Sequence, residues 1–275
     1  MKNILTFITF LLSILTINGQ DIAEICAVYT YTYPNYKEEG KMKTKEMTLL
    51  ANSTDSKWFN RMSEYCDSMC STPQGRKQLQ DIQFAAWVEF GADGSISVNK
   101  NNNAPEKQVY QYIYTNSQEL SVYDKLGEQM STYTEPYQEM EWEIVSDSTL
   151  NILGFECMMA TTSYHGRDWK VWFTLDVPVM FGPWKLRGLP GLILKADANG
   201  GFAFEAKEVG RISERMLPIY PGVNYEKVDR KKALADHQYL MSHLESIRSA
   251  SAGIALPPGF KEPEYLPKHA IECDY

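Results

Sequence analysis

From Ala27 to Val209 apolar and polar residues alternate with a period of two, in short runs separated by turn residues at regular intervals. A period of two places alternate side chains on opposite faces of a pleated strand, so this pattern commits most of the chain to antiparallel β-structure. Tyr29, Tyr31 and Tyr33 alternate along the first run, and Met47 and Leu49 begin a second. Three hairpins are predicted. Gly91 and Gly94 separate Phe84–Phe90 from Ser95–Asn99, Asn116-Ser117 separates Val109–Thr115 from Gln118–Asp124, and Asn199-Gly200-Gly201 separates Leu192–Ala196 from Phe202–Lys207. Each turn holds residues that accept tight or left-handed backbone. Glu139–Val145 alternates strictly, with Met140, Trp142 and Ile144 on one face and Glu139, Glu141 and Glu143 on the other.

Helical spacing occurs in two places. Thr72 before Pro73 marks a short helix over 72–84. Asn224 reads as the cap of one long helix carrying Val228, Ala235, Tyr239, Leu244 and Ile247 on its apolar side. From about residue 251, Pro257, Pro258, Pro263 and Pro267 predict an extended tail held by packing or by Cys273. The expected fold is therefore mainly β, an open or half-barrel antiparallel sheet with one long helix in the C-terminal half and a short one near 72–84. Residues 20–275 form a single such domain.

Lys2, the apolar run Ile4–Ile17 and the polar Asn18-Gly19-Gln20 make residues 1–19 a signal peptide. About 14 apolar residues are too few to span a membrane, which needs roughly 20, and no later run is longer. No transmembrane segment is expected in the mature chain. The first cysteine, Cys26, lies beyond Asp21 and Glu24, which argues against a lipoprotein and leaves the periplasm or cell surface. Five cysteines in an oxidising compartment suggest disulfides, with Cys66 and Cys70 the preferred pair if they share a loop. Four residues apart, they would be poorly placed for a bond on a helix. A net charge of −8 excludes a phosphate-tracking surface and hence a nucleic-acid partner.

The segment Gly188-Leu189-Pro190-Gly191-Leu192-Ile193 closes a run of further motifs: Ile152–Cys157, Ala160–Thr162, Gly166-Arg167, Trp172–Thr174, Pro178 and Gly182-Pro183-Trp184. Upstream lie Ser56–Phe59, Asp67-Ser68 and Ser71–Gly75. Together these resemble the GLPGLI family, a group of exported proteins typical of Bacteroidota, over about Ala27 to Val209. The resemblance implies an exported β-rich envelope protein and assigns no activity. Read physically, Gly182-Pro183 and Leu189-Pro190-Gly191 allow two sharp turns within ten residues. Gly182, Pro183, Trp184, Gly188, Leu189, Pro190 and Gly191 then form either a packed corner between core strands, with Gly191 expected at positive φ, or a rigid binding rim.

No hydrolase, phosphate-binding or zinc-protease motif occurs. No catalytic residue, metal site or cofactor is assigned. Cys157 and His165 would lie roughly 26 Å apart along one strand, too far for a nucleophile and its base. His237 and Met241 would share a helix face that His243 does not, which argues against a copper site. The expected function is a non-catalytic envelope binding or assembly protein, taking an apolar ligand or an envelope or outer-membrane protein. A hydrolase using Glu139, Glu141 or Glu143 is one alternative, and a metal-handling periplasmic protein is another.

Overall fold

The computed structural model describes residues 22–99, 103–126, 129–217, 219–220 and 222–275, so the expected signal segment lies outside the described residues. In chain order the elements begin β1 (Ile22–Pro34), β2 (Met42–Ala51), β3 (Ser56–Phe59), α1 (Arg61–Cys70) and α2 (Pro73–Trp87). A hairpin of β4 (Val88–Phe90) and β5 (Ile96–Val98) is followed by β6 (Tyr112–Thr115), β7 (Glu119–Leu126) and β8 (Gln129–Pro136). Then come β9 (Glu143–Ile152), β10 (Phe155–Tyr164), β11 (Arg167–Thr174), β12 (Leu192–Ala198), β13 (Phe202–Arg215) and β14 (Glu226–Lys227). Helices α3 (Arg230–Ser242) and α4 (Leu244–Ala252) precede a tail whose regular structure is limited to a 3-10 turn at Pro267–His269.

Among the described residues twelve strands make one open sheet, in the order β14-β8-β7-β6-β3-β2-β1-β13-β12-β11-β10-β9. Every pairing is antiparallel except that of β14 with β8. The sheet is strongly curled. Strands β8 and β11 stand eight positions apart, which in a flat sheet would be roughly 38 Å. Yet Glu135 on β8 lies 2.9 Å from His165 in the β10–β11 turn. The chain first crosses from one flank to the other through residues 137–142, and it returns between β13 and β14.

Alternation along the strands serves both faces. Leu49 and Trp58 point into the concave core, where they join Tyr29, Ile113, Val122, Trp169, Phe173 and Phe204. Their neighbours Leu50 and Phe59 point to the convex side, with Ala23, Tyr112 and Met216. Helix α1 is held on that side by charge: Lys57 pairs with Glu64 while buried, and Arg61 grips Glu214 through two hydrogen bonds. The concave side is covered by α3 and the tail.

Several expectations need correction. Helix α1 was not expected, and α2 runs on to Trp87, so that only Val88–Phe90 of the expected Phe84–Phe90 strand is extended. Thr72 accepts the Gly75 N–H at 3.1 Å with Pro73 in the first turn, and the Gln- and Ala-rich sequence continues the helix. The expected long helix is two helices, because α3 starts after its Asp229 cap and breaks at His243. The Ser242 hydroxyl donates to the Gln238 carbonyl at 2.9 Å, a back-bond that bends helices. Residues 139–142 are irregular and the strand begins at Glu143, so Ile144 is exposed instead of sharing the inward face with Met140 and Trp142. Cys66 and Cys70 fall one turn apart on α1 and are free, as are the other three cysteines. The tail is held by hydrogen bonds: the Cys273 N–H donates to the His165 carbonyl at 3.1 Å, and Arg167 donates to the carbonyls of Lys268 and Ala270. Among the described residues no helix is long and apolar enough to cross a membrane.

Candidate functional site

Cross-strand register builds an aromatic groove on the concave face. Tyr31 faces Lys45 and Tyr33 faces Lys43 across β1 and β2, and Tyr31 faces Phe204 across β1 and β13. Tyr31 stacks on Phe204 at 4.6 Å and on Tyr33 at 5.0 Å, and Trp58 meets Phe204 edge-on at 5.5 Å. Helix α3 supplies the opposite wall with Ala233, Leu234, His237 and Met241, and the tail adds Tyr265 and Ile271. Tyr133 of β8 lines the same space as Phe204, six strands away in the sheet, so the curl is what creates the groove. Its volume is about 490 Å³, within the range of about 300–1,000 Å³ usual for small-molecule sites.

One end of the groove is walled by a buried ionic cluster. Lys185 Nζ, fully buried, lies 2.5 Å from Glu135 Oε1, 2.5 Å from Glu272 Oε1 and 3.3 Å from the Tyr133 hydroxyl. His165 Nδ1 lies 3.0 Å from Asp274 Oδ2 and 2.8 Å from the Arg230 guanidinium, and its Nε2 lies 2.9 Å from Glu135 Oε2. Arg230 of α3 reaches Glu272 and Asp274, each at 2.7 Å. Burial would raise the Glu135 carboxyl, and the contacts from His165 and Lys185 outweigh it, holding the group down at about 2. Burial likewise lifts the Tyr133 phenol well above its ordinary value and the Tyr164 phenol to about 12.

The cluster fastens the curled sheet, because its members come from β8, the β10–β11 turn, the 182–193 corner, α3 and the tail. Arg187 completes the fastening by gripping the chain between the two flanks. It lies over the Tyr137 ring at 4.9 Å, and its own carbonyl accepts the Trp142 indole N–H at 2.9 Å. Glu135, His165 and Glu272 each offer a ligand atom within 4.8 Å of the others, the arrangement of a metal site. Lys185 already stands between the two carboxylates and supplies the positive charge there.

Gly182, Pro183, Trp184, Leu189 and Gly191 are buried in the corner between β11 and β12, while Gly188 and Pro190 reach its surface. Trp184 stacks on Trp169 at 5.5 Å with a positive φ of 58°, and its ring lines the groove. Gly191 is not in the left-handed region; Gly188, at φ 94°, is. What requires glycine at 191 is space, since a Cβ there would lie 2.0 Å from the Thr174 carbonyl oxygen. Glu139, Glu141 and Glu143 are exposed, and the last two border an open surface cleft with Asp168 and Asp197. His237 and Met241 line the groove, whereas His243 stacks on Tyr239 at 4.2 Å.

Trp184 stands out in the sequence, whereas Glu135, Lys185, Arg230 and Glu272 do not. The signal for the cations was local: Lys185 and Arg187 are interleaved with Trp184, Leu186 and Leu189, all of which need burial.

Residues 95–230 match a family model described as N-glycanase peptide, N-terminal domain. Two solved structures of PNGF-II, in the C2 and P21 space groups, share the fold. Each has a TM-score of 0.51 and 19% identity over 78% of this chain. The chain spans about a third of their length, 32% and 33% respectively. No curated protein matches it.

Proposed function

We propose that this chain is an exported, non-catalytic binding protein of the cell envelope, and that the concave aromatic groove is its binding site. The observation that carries the reading is the groove itself: a space of about 490 Å³ walled by Tyr31, Phe204, Trp58 and Met241, kept open by the curl of the sheet and the ionic clasp at its end. Trp184 adds a buried indole N–H with no partner among the described residues, a donor that an occupant can satisfy. The GLPGLI-like motifs support an envelope location.

A hydrolase using Glu139, Glu141 or Glu143 would work at the separate open cleft that Glu141 and Glu143 border, outside the groove and its clasp. Glu135 is held ionised at about 2 and is locked to Lys185, which fits a clasp and not a general acid.

The test is titration with N-phenyl-1-naphthylamine, a neutral dye that brightens in apolar sites. Saturable binding by the wild type and its loss in Leu234→Trp, which fills the groove from α3, support the reading, provided thermal melting shows the variant folded. Absence of saturable binding by the wild type, or equal binding by a folded Leu234→Trp, overturns it.

A further inference from the structure

The mouth of the groove has the opposite charge to the molecule. The chain carries a net −8, yet the lining contributes Lys37, Lys43, Lys45, Lys125 and Arg248 against two acids, Asp124 and Glu272. Glu272 is neutralised within the clasp by Lys185 and Arg230. Asp124 is pushed by burial toward its neutral form. Lys37 is paired with Glu245, and Arg248 lies 3.7 Å from the same carboxylate.

Lys43 and Lys45 differ from these: neither makes an ion pair among the described residues, and both belong to the groove. Their placement follows from the register. On the concave face of β2, Met47, Lys45 and Lys43 succeed one another opposite Tyr29, Tyr31 and Tyr33 of β1. Along one line the wall therefore passes from the buried Met47 to the exposed Lys43, with aromatic rings beside it throughout. Such a gradient suits a ligand with an apolar body and one anionic end, because a chain can be desolvated against Met47, Trp58 and Phe204 while its charge stays at the hydrated mouth. A volume of about 490 Å³ accommodates one long alkyl chain.

We infer that the groove takes a single-chain amphiphile with a carboxylate head, its hydrocarbon chain against Tyr31, Phe204 and Trp58 and its carboxylate between Lys43 and Lys45. The inference rests on the proposed groove and adds the class of ligand. The lysines act as point charges, so the head contributes affinity that salt screens, while the chain contributes affinity that salt leaves in place.

Displacement of N-phenyl-1-naphthylamine by laurate and by 1-dodecanol, which share a chain length, separates the two contributions. Laurate is expected to displace the dye at roughly tenfold lower concentration than dodecanol at low salt. That advantage disappears in Lys43→Gln/Lys45→Gln and in about 0.5 M NaCl, where the screening length is only a few ångströms. Dodecanol displacement is unchanged in both. Equal displacement by the two compounds in the wild type, or a laurate advantage that survives the double substitution, overturns the carboxylate assignment and leaves the groove standing. If the dye itself shows no saturable site in the wild type, the groove reading fails, and the ligand class fails with it.

Discussion

Lys185 is the residue on which the interior depends most. It is fully buried between Glu135 and Glu272, and its ammonium is the nearest positive charge to both. Replacing it by Met keeps the volume and removes the ammonium between two buried carboxylates, leaving Glu272 to Arg230 and Glu135 to His165 and Arg230, so Lys185→Met is expected to destabilise the protein by about 3–5 kcal/mol, read from urea unfolding. A loss under about 1 kcal/mol would mean that water reaches the cluster. Glu135 sets the acid limit of the same cluster. Its folded value of about 2 lies below its ordinary 4.5, so its stabilisation is fully present above pH 4.5 and is lost as pH falls from 4.5 toward 2. Glu135→Gln should be less stable at neutral pH and show a shallower decline across that window; a parallel decline would place the acid sensitivity elsewhere. At Gly191 the constraint is steric, with a Cβ 2.0 Å from the Thr174 oxygen, so Gly191→Ala should cost about 1–3 kcal/mol in the same assay. A neutral effect would show that β11 can shift away from the corner.

At the scale of elements, the strands were readable because burial on each face follows a period of two, as Trp58 and Phe59 show by pointing to opposite cores. Helix α1 was not, because its inner face is polar. Its buried residues are Ser63, Glu64 and Cys66, and it docks through Lys57, Glu214 and Lys107, so it carries no apolar stripe to detect. The break between α3 and α4 had no glycine or proline to announce it and is accompanied by the Ser242 back-bond. The tail read as extended, but not as a part of the groove, since its role depends on Glu272 and Asp274 meeting Arg230 from 42 and 44 residues away. Removing residues 254–275 should therefore lower the melting temperature by more than about 6 °C, through loss of the Glu272 and Asp274 pairs and exposure of the Tyr265 site. An unchanged melting point would mean that the tail rests on the domain without holding it.

In the whole molecule, curvature joins these levels. Fastening β8 to the β10–β11 turn brings together strands that a flat sheet would hold far apart, and the enclosed face becomes an aromatic groove with a cationic mouth on an acidic protein. The clasp was hidden from the sequence because five separate stretches contribute to it and each residue is ordinary in its own context. The groove was half visible: Tyr31 and Tyr33 marked one wall, while α3 and Phe204 came to face them only through the fold. An apolar ligand admitted to this groove would lie against its methionines. Methionine methyl resonances observed by NMR during titration with N-phenyl-1-naphthylamine test this most directly, because Met47 and Met241 line the groove whereas Met62 and Met180 are exposed away from it. Saturable shifts at Met47 and Met241, with Met62 and Met180 unmoved, are the expected result; shifts confined to the exposed methionines, or none at all, would contradict it.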